Sequence, residues 1–199
     1  LYGHRELALI YLAVTGPKGS GKDTVAQLIK ELYPDHIVNC IAFADPIKKV
    51  INHIFDLDPD SLDQYDKFKR DNVEYNLPGY MRHRVPGRHV VREIGMLMRH
   101  YDQHQFTEYV HDFMTSGEFV KNRIDIVTDL RFDNEYIMLK EIGAKIIKIT
   151  RPNHTYDGHI TERGFDDHLV DKIIMNDGDL NYLRIRVKTV IDSILKENE

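Results

Sequence analysis

The chain has a single cysteine, Cys40, among 199 residues. One thiol can form neither an internal disulfide nor a cysteine-rich zinc site, which fits a reducing cytosol. Positive charge is not in excess either. Against 32 Asp and Glu stand 27 Lys and Arg, a formal net charge of −5. Proteins that grip polymeric nucleic acid usually show the opposite balance, whereas a small anion needs only a local basic patch. No apolar run is long enough to cross a membrane. There is no internal repeat and no low-complexity tract. The length suits one domain around one core, with room for a small inserted lobe.

What is present alternates. Residues 7–15 are a continuous apolar run that ends at Gly16, as a strand buried on both faces reads. Preceded by His4 and Arg5, the run has the outline of a short signal peptide. A strand is the better reading, because cleavage would remove the element that feeds the glycine-rich loop. Val25, Leu28, Ile29 and Leu32 then recur at helical spacing up to Pro34. A second strand is predicted at 37–43. A helix follows, capped by Asp45 with Pro46 at its first position. Residues 56–87 are rich in Asp, Lys, Tyr and Pro without strong periodicity, which predicts a lobe or long loop. Helices are expected at 88–101 and 105–115, a strand at 124–128, a helix at 134–142, strands at 145–150 and 172–175, and a closing amphipathic helix at 179–196. Such alternation predicts an α/β fold, a parallel sheet of about five strands with helices on both faces. Ligands of such sheets bind at the carboxyl ends of the strands.

The loop after the first strand reads GPKGSGKDT, residues 16–24. Gly16, Lys18, Gly19, Ser20, Gly21 and Lys22 fit a phosphate-binding loop, whose backbone N–H groups wrap a phosphate at a helix N-terminus. The usual Ser or Thr after the lysine is missing and Asp23 stands in its place. A carboxylate beside a polyphosphate is repulsive unless a cation lies between, which suggests Mg²⁺. Thr24 is the rival ligand. The plainer view of Asp23 is a favourable acid in a first helical turn.

Arginines recur where they are awkward. In the helix at 88–101, Val90, Val91, Ile94, Leu97, Met98 and Tyr101 form an apolar stripe, and Arg88, Arg92 and Arg99 a basic one. Like charges at i,i+4 cost about 0.2–0.5 kcal/mol, and Gly95 within a helix costs about 1 kcal/mol relative to alanine. A bound anion would reverse the first cost, and Gly95 would let a ligand near the backbone. The alternative is a solvated basic face. Asp129 closes the strand at 124–128, and Arg131 follows at the start of a helix, where a cation opposes the dipole. Charge stabilisation in phosphoryl transfer would explain it, as would pairing with Glu135. Arg151, after the strand at 145–150, suits a base or a phosphate. His159 and Glu162 lie in a polar loop and are candidates for ordering the site. Tyr65, Phe68, Tyr75 and Tyr80 are candidates for stacking on a base, with packing of the lobe as the alternative. Asn176 to Asp179 read only as a turn.

Taken together, GPKGSGKDT, FADPIK (43–48), RHVVREIG (88–95), DLRFDNE (129–135), IGAKIIKITRP (142–152), HITERG (159–164) and NDGDL (176–180) resemble the deoxynucleoside monophosphate kinases of tailed bacteriophages. They stand in that family's order and span most of the chain. The resemblance implies a P-loop kinase fold. A single domain over 1–199 is expected, with 56–87, where the chain departs from the family, as a small helical or loop substrate lobe. It also implies transfer of the γ-phosphoryl of ATP to a deoxynucleoside monophosphate, with Mg²⁺, for viral DNA precursor synthesis in the host cytoplasm. By motif position, Lys22 and Asp23 fall on the catalytic loop. Arg88, Arg92 and Gly95 fall on the acceptor-binding helix, and Asp129, Arg131 and Glu135 on a second catalytic segment. The implied partners are small nucleotides, with no nucleic-acid polymer and no membrane; a homodimer is compatible with this. Two other readings stay open. Animal phosphomevalonate kinase is similar in its GKD loop and a later Asp-x-Arg segment, and a non-catalytic ATP-binding module would use the same loop.

Overall fold

In the computed structural model, the described residues are 9–59, 61–75, 83–116, 122–152 and 165–197. The elements run β1 (Leu9–Thr15), α1 (Lys22–Leu32), β2 (Ile37–Ile41), α2 (Asp45–Ile54), α3 (Leu62–Arg70), β3 (Asn72–Tyr75), β4 (His83–Pro86), α4 (Gly87–Tyr101), α5 (Gln105–Thr115), β5 (Arg123–Val127), α6 (Asp133–Glu141), β6 (Lys145–Thr150), β7 (Lys172–Met175) and α7 (Leu180–Glu197). They fall into two compact units, Leu1–Phe43 with Val110–Glu199, and Ala44–Tyr109.

The first unit holds a five-stranded sheet in the order β2-β5-β1-β6-β7. Every pairing in it is parallel, so the carboxyl ends of all its strands lie along one edge. Alternation along each strand sends side chains to opposite faces. Ile10, Leu12, Val14, Ile124, Ile126, Ile147, Ile149 and Ile174 point to one face. There they pack with Val25, Leu28 and Ile29 of α1 and Leu183, Val187, Ile191 and Ile194 of α7. On the other face Tyr11 Oη donates to the Met114 carbonyl of α5 at 2.8 Å. Helices cover both sides of the sheet, as the sequence pattern predicts.

Tyr33 ends α1 and ties it to α7. Its hydroxyl donates to Asp192 Oδ1 at 2.7 Å. Burial, and then the Asp192 carboxylate, raise the Tyr33 pKa above the usual phenolic value. A raised folded pKa means stability that is complete below the unfolded pKa and is lost as pH climbs past it. Urea melts between about pH 8 and 11 should therefore show stability falling above about pH 10. The fall should be shallower in Tyr33→Phe, which cannot ionise there. Tyr11, also raised by burial, keeps its own share of the slope. An identical slope in the variant would refute the assignment.

β5 carries a buried ion pair that hydropathy does not reveal. Asp125 is fully buried and Arg123 nearly so. Arg123 Nη2 lies 2.8 Å from Asp125 Oδ2, and Arg123 Nε donates to Asp125 Oδ1 at 2.9 Å. Asn39 Nδ2 of β2 donates to the same oxygen at 2.9 Å. Arg123 Nη2 also reaches the Phe113 carbonyl at 3.3 Å, joining sheet to α5. Removing one partner strands a buried charge, so Arg123→Ala should lose roughly 3 kcal/mol in denaturant melts. Arg123→Ala combined with Asp125→Ala should lose less than the single change.

The second unit departs most from the sequence pattern. Within 56–87, expected as a helical or loop lobe with no element placed in it, lie α3 and an antiparallel pair, β3 with β4. Ser61 caps α3, its Oγ accepting from Gln64 N at 3.3 Å. Tyr65 and Phe68 are buried, Phe68 with its ring centroid 4.7 Å from that of Phe55. Both belong to the core of this unit and are withdrawn as base-stacking candidates. The side chain of Tyr75, and Tyr80, lie outside what is described. Asp45 is the first residue of α2 and not its cap, and its carboxylate pairs with Lys48 at 2.6 Å. Along α4 the apolar stripe is broken. Val90 is buried, whereas Leu97 and Tyr101 are exposed.

Candidate active site

Gly16 begins the loop at the carboxyl end of β1 with φ of 141°. A Cβ there would lie 2.3 Å from the Ile149 carbonyl oxygen, so strand packing as well as backbone conformation demands glycine. Gly19 and Gly21 also take positive φ, 74° and 103°. Gly21 is the N-cap of α1, which brings the helix's positive end to the loop.

The loop's carbonyls are turned to donors. Lys22 Nζ spans the loop, donating to the carbonyls of Gly16 and Pro17, each at 2.8 Å. Arg151 Nη1, just past β6, donates to the Gly19 carbonyl at 3.3 Å. Asn176 Nδ2, just past β7, donates to the Ser20 carbonyl at 2.8 Å. Since N–H and C=O of a trans peptide point opposite ways, the Ser20 carbonyl held by Asn176 turns the Gly21 N–H away from that side chain, as an anion-binding loop requires of its amides. Ser20 Oγ is buried without a hydrogen-bond partner. Lys18, Asp23 and Thr24 are exposed.

The segment at 129–135 follows β5 on the same edge. Asp129 Oδ1 accepts from Phe43 N, just past β2, at 2.7 Å. The Leu130 carbonyl accepts from Thr15 Oγ1, the last residue of β1, at 3.0 Å. Glu135 is buried, and its Oε2 accepts from the backbone N–H of Arg131 at 2.9 Å and of Phe132 at 3.1 Å. This is the reach-back half of a capping box. Glu135 thus holds the backbone at the start of α6. The Arg131 side chain is exposed.

In the second unit, Arg88 and Arg92 are exposed on α4. Arg99 stacks on the Phe106 ring, 4.4 Å from its centroid. Gly95 is buried, and a Cβ there would come within 2.9 Å of Ile47 Cδ1. Its small size serves the packing of α4 on α2. His159 and Glu162 lie outside the described residues. Thr15 and Asn176 went unnoticed in the sequence. The signal available for Asn176 was a polar residue directly after a buried parallel strand.

A glycine-rich loop on the central strand of a parallel sheet, crossed by Lys22 and opening a helix, is the arrangement of a phosphate-binding P-loop. Comparisons with known proteins narrow the class. The sequence model described as deoxynucleotide monophosphate kinase matches residues 95–187. A protein of Acanthamoeba polyphaga mimivirus, provisionally named deoxynucleotide monophosphate kinase, is 24% identical over 202 residues, 96% of this chain and 100% of its own. The deoxynucleotide monophosphate kinase of Enterobacteria phage T4 is 37% identical over 67 residues, 33% of this chain and 28% of its own. A solved structure from Chloroflexus aurantiacus, provisionally named a kinase, aligns with a TM-score of 0.47 at 11% identity, covering 94% of this chain and 98% of that one. Over these stretches the chain is similar to deoxynucleotide monophosphate kinases.

Proposed function

We propose that the protein transfers the γ-phosphoryl of ATP to a deoxynucleoside monophosphate, giving the diphosphate. The observation that carries this reading is the glycine-rich loop, its carbonyls bonded by Lys22, Arg151 and Asn176, in a chain similar to kinases of that name. Lys22 and the loop amides bind the donor's phosphates. Arg88 and Arg92 hold the phosphate of the acceptor. Arg131 neutralises charge on the equatorial oxygens of the group in transit.

The residues present suit a Mg²⁺ ion that shares the substrate's oxygens. Among the described residues no three His, Cys, Asp or Glu converge on one point, so the protein offers no closed cage. Mg²⁺ needs only one or two carboxylates when phosphates and waters complete its shell. Asp23 or Thr24 in the first turn of α1, with Asp129, would hold it. When bound, the ion would offset the negative charge of the phosphates.

Residues 56–87 are the proposed substrate lobe, and the single cysteine and viral relatives support action in a cytoplasm. No helix among the described residues is long and apolar enough to cross a membrane. The test is ADP release, coupled to a spectrophotometric readout, with ATP, Mg²⁺ and each deoxynucleoside monophosphate in turn. Release with at least one of them, and none with phosphomevalonate, is expected. Release only with phosphomevalonate, or ATP binding without turnover on any acceptor, would sink the proposal.

A further inference from the structure

We infer that Asn176 is a positioning residue for the phosphate loop, setting the direction in which the Gly21 amide faces the donor's phosphates. The inference rests on the phosphate-binding reading above. Asn176 is the first residue past β7. Its backbone N–H donates to the Thr150 carbonyl at 2.7 Å, which anchors it beyond the end of β6. From that anchor its Nδ2 donates to the Ser20 carbonyl at 2.8 Å. Ser20 C=O and Gly21 N–H belong to one peptide plane and point opposite ways. Holding the carbonyl toward Asn176 aims the N–H away from it.

The fit is close on both sides. A Cβ at position 21 would lie 2.6 Å from Asn176 Nδ2. Gly21 therefore makes room for the amide as well as taking a positive φ. Pivoting of that peptide is the motion this hydrogen bond prevents. Glycine is the residue least able to resist such pivoting, so the loop borrows its rigidity from a side chain at the end of a distant strand. Preorganised donors bind an anion without the cost of ordering them first.

The experiment is calorimetric titration with inorganic tripolyphosphate, which has no base or sugar, and separately with ATP. Asn176→Ala removes the donor. Asn176→Asp keeps the shape and turns an acceptor toward the carbonyl. In Asn176→Ala both ligands should bind about tenfold more weakly, the loss of one hydrogen bond's worth of preorganisation. Asn176→Asp should bind both more weakly still. KM for ATP should rise, with KM for the acceptor unchanged. Unaltered tripolyphosphate binding in either variant overturns the inference. So does a loss seen with ATP alone, since Asn176 would then act on the nucleoside. If the unaltered protein binds neither ligand, the phosphate-loop reading itself fails, and this inference with it. Should the alanine variant unfold, the aspartate variant carries the same measurement.

Discussion

Arg131→Ala should lower turnover on the order of 10³-fold and leave the melting temperature within a few degrees. The asymmetry follows from what the residue does in the structure. Its backbone is held firmly, with the N–H on Glu135 and the preceding carbonyl on Thr15. Both bonds survive truncation of the side chain. The guanidinium itself is exposed, so its loss opens no cavity. It stands at the start of α6, where a positive charge opposes the helix dipole. Removing it should, if anything, relieve the helix. A residue that weakens its own helix needs a role elsewhere, and charge stabilisation of a moving phosphoryl group is worth several powers of ten. Arg131→Lys should recover only part of the rate, because an ammonium lacks the planar fork. The readout is kcat from coupled ADP release at saturating substrates, beside a thermal melt. Full activity in the alanine variant would remove Arg131 from the mechanism. A collapsed melting temperature with intact kcat would make it a structural residue.

Lys22→Met should be still more damaging to function, lowering kcat/KM by at least about 10³-fold. The ammonium bonds two loop carbonyls at once, and methionine keeps the stem without the charge. Two consequences follow. The donor's terminal phosphates lose their point charge, and the first turn of the loop loses the ammonium that bonds its first two carbonyls. The second effect should cost about 1 kcal/mol of stability, the net worth of ordinary hydrogen bonds. The first should appear as loss of ATP affinity in titration. Retained ATP affinity and turnover would contradict the role given to the loop.

The regular elements were readable wherever packing on one face imposed a long repeat. β6 and β7 fall on the residues that hydropathy marks, and α5 begins and ends where expected. α3 escaped because it is nine residues long and buries only Tyr65 and Phe68 of those described. Two apolar positions three apart do not make a period. The exposed Leu97 and Tyr101 were misread for the opposite reason. Their spacing is helical, but spacing says which residues share a face and not how far along the helix that face is covered. Glu135 looked like a ligand because it is acidic and follows an arginine. Its backbone partners are close in sequence, but its burial could not be read from that alone.

The sequence by itself determined the phosphate loop. Its requirements are local: glycines where φ must be positive, a lysine one step past them, a helix opening on that lysine. Each lies within a few residues of the next, so adjacency in the chain is adjacency in space. Only the tertiary structure decided what steadies that loop and where its neighbours sit. Asn176 reaches Ser20 across 156 positions of sequence, and Thr15 reaches Leu130 across 115. Those contacts exist because parallel pairing gathers the carboxyl ends of all five strands along one edge. Strand order and register depend on the packing of the whole sheet, which no single segment encodes.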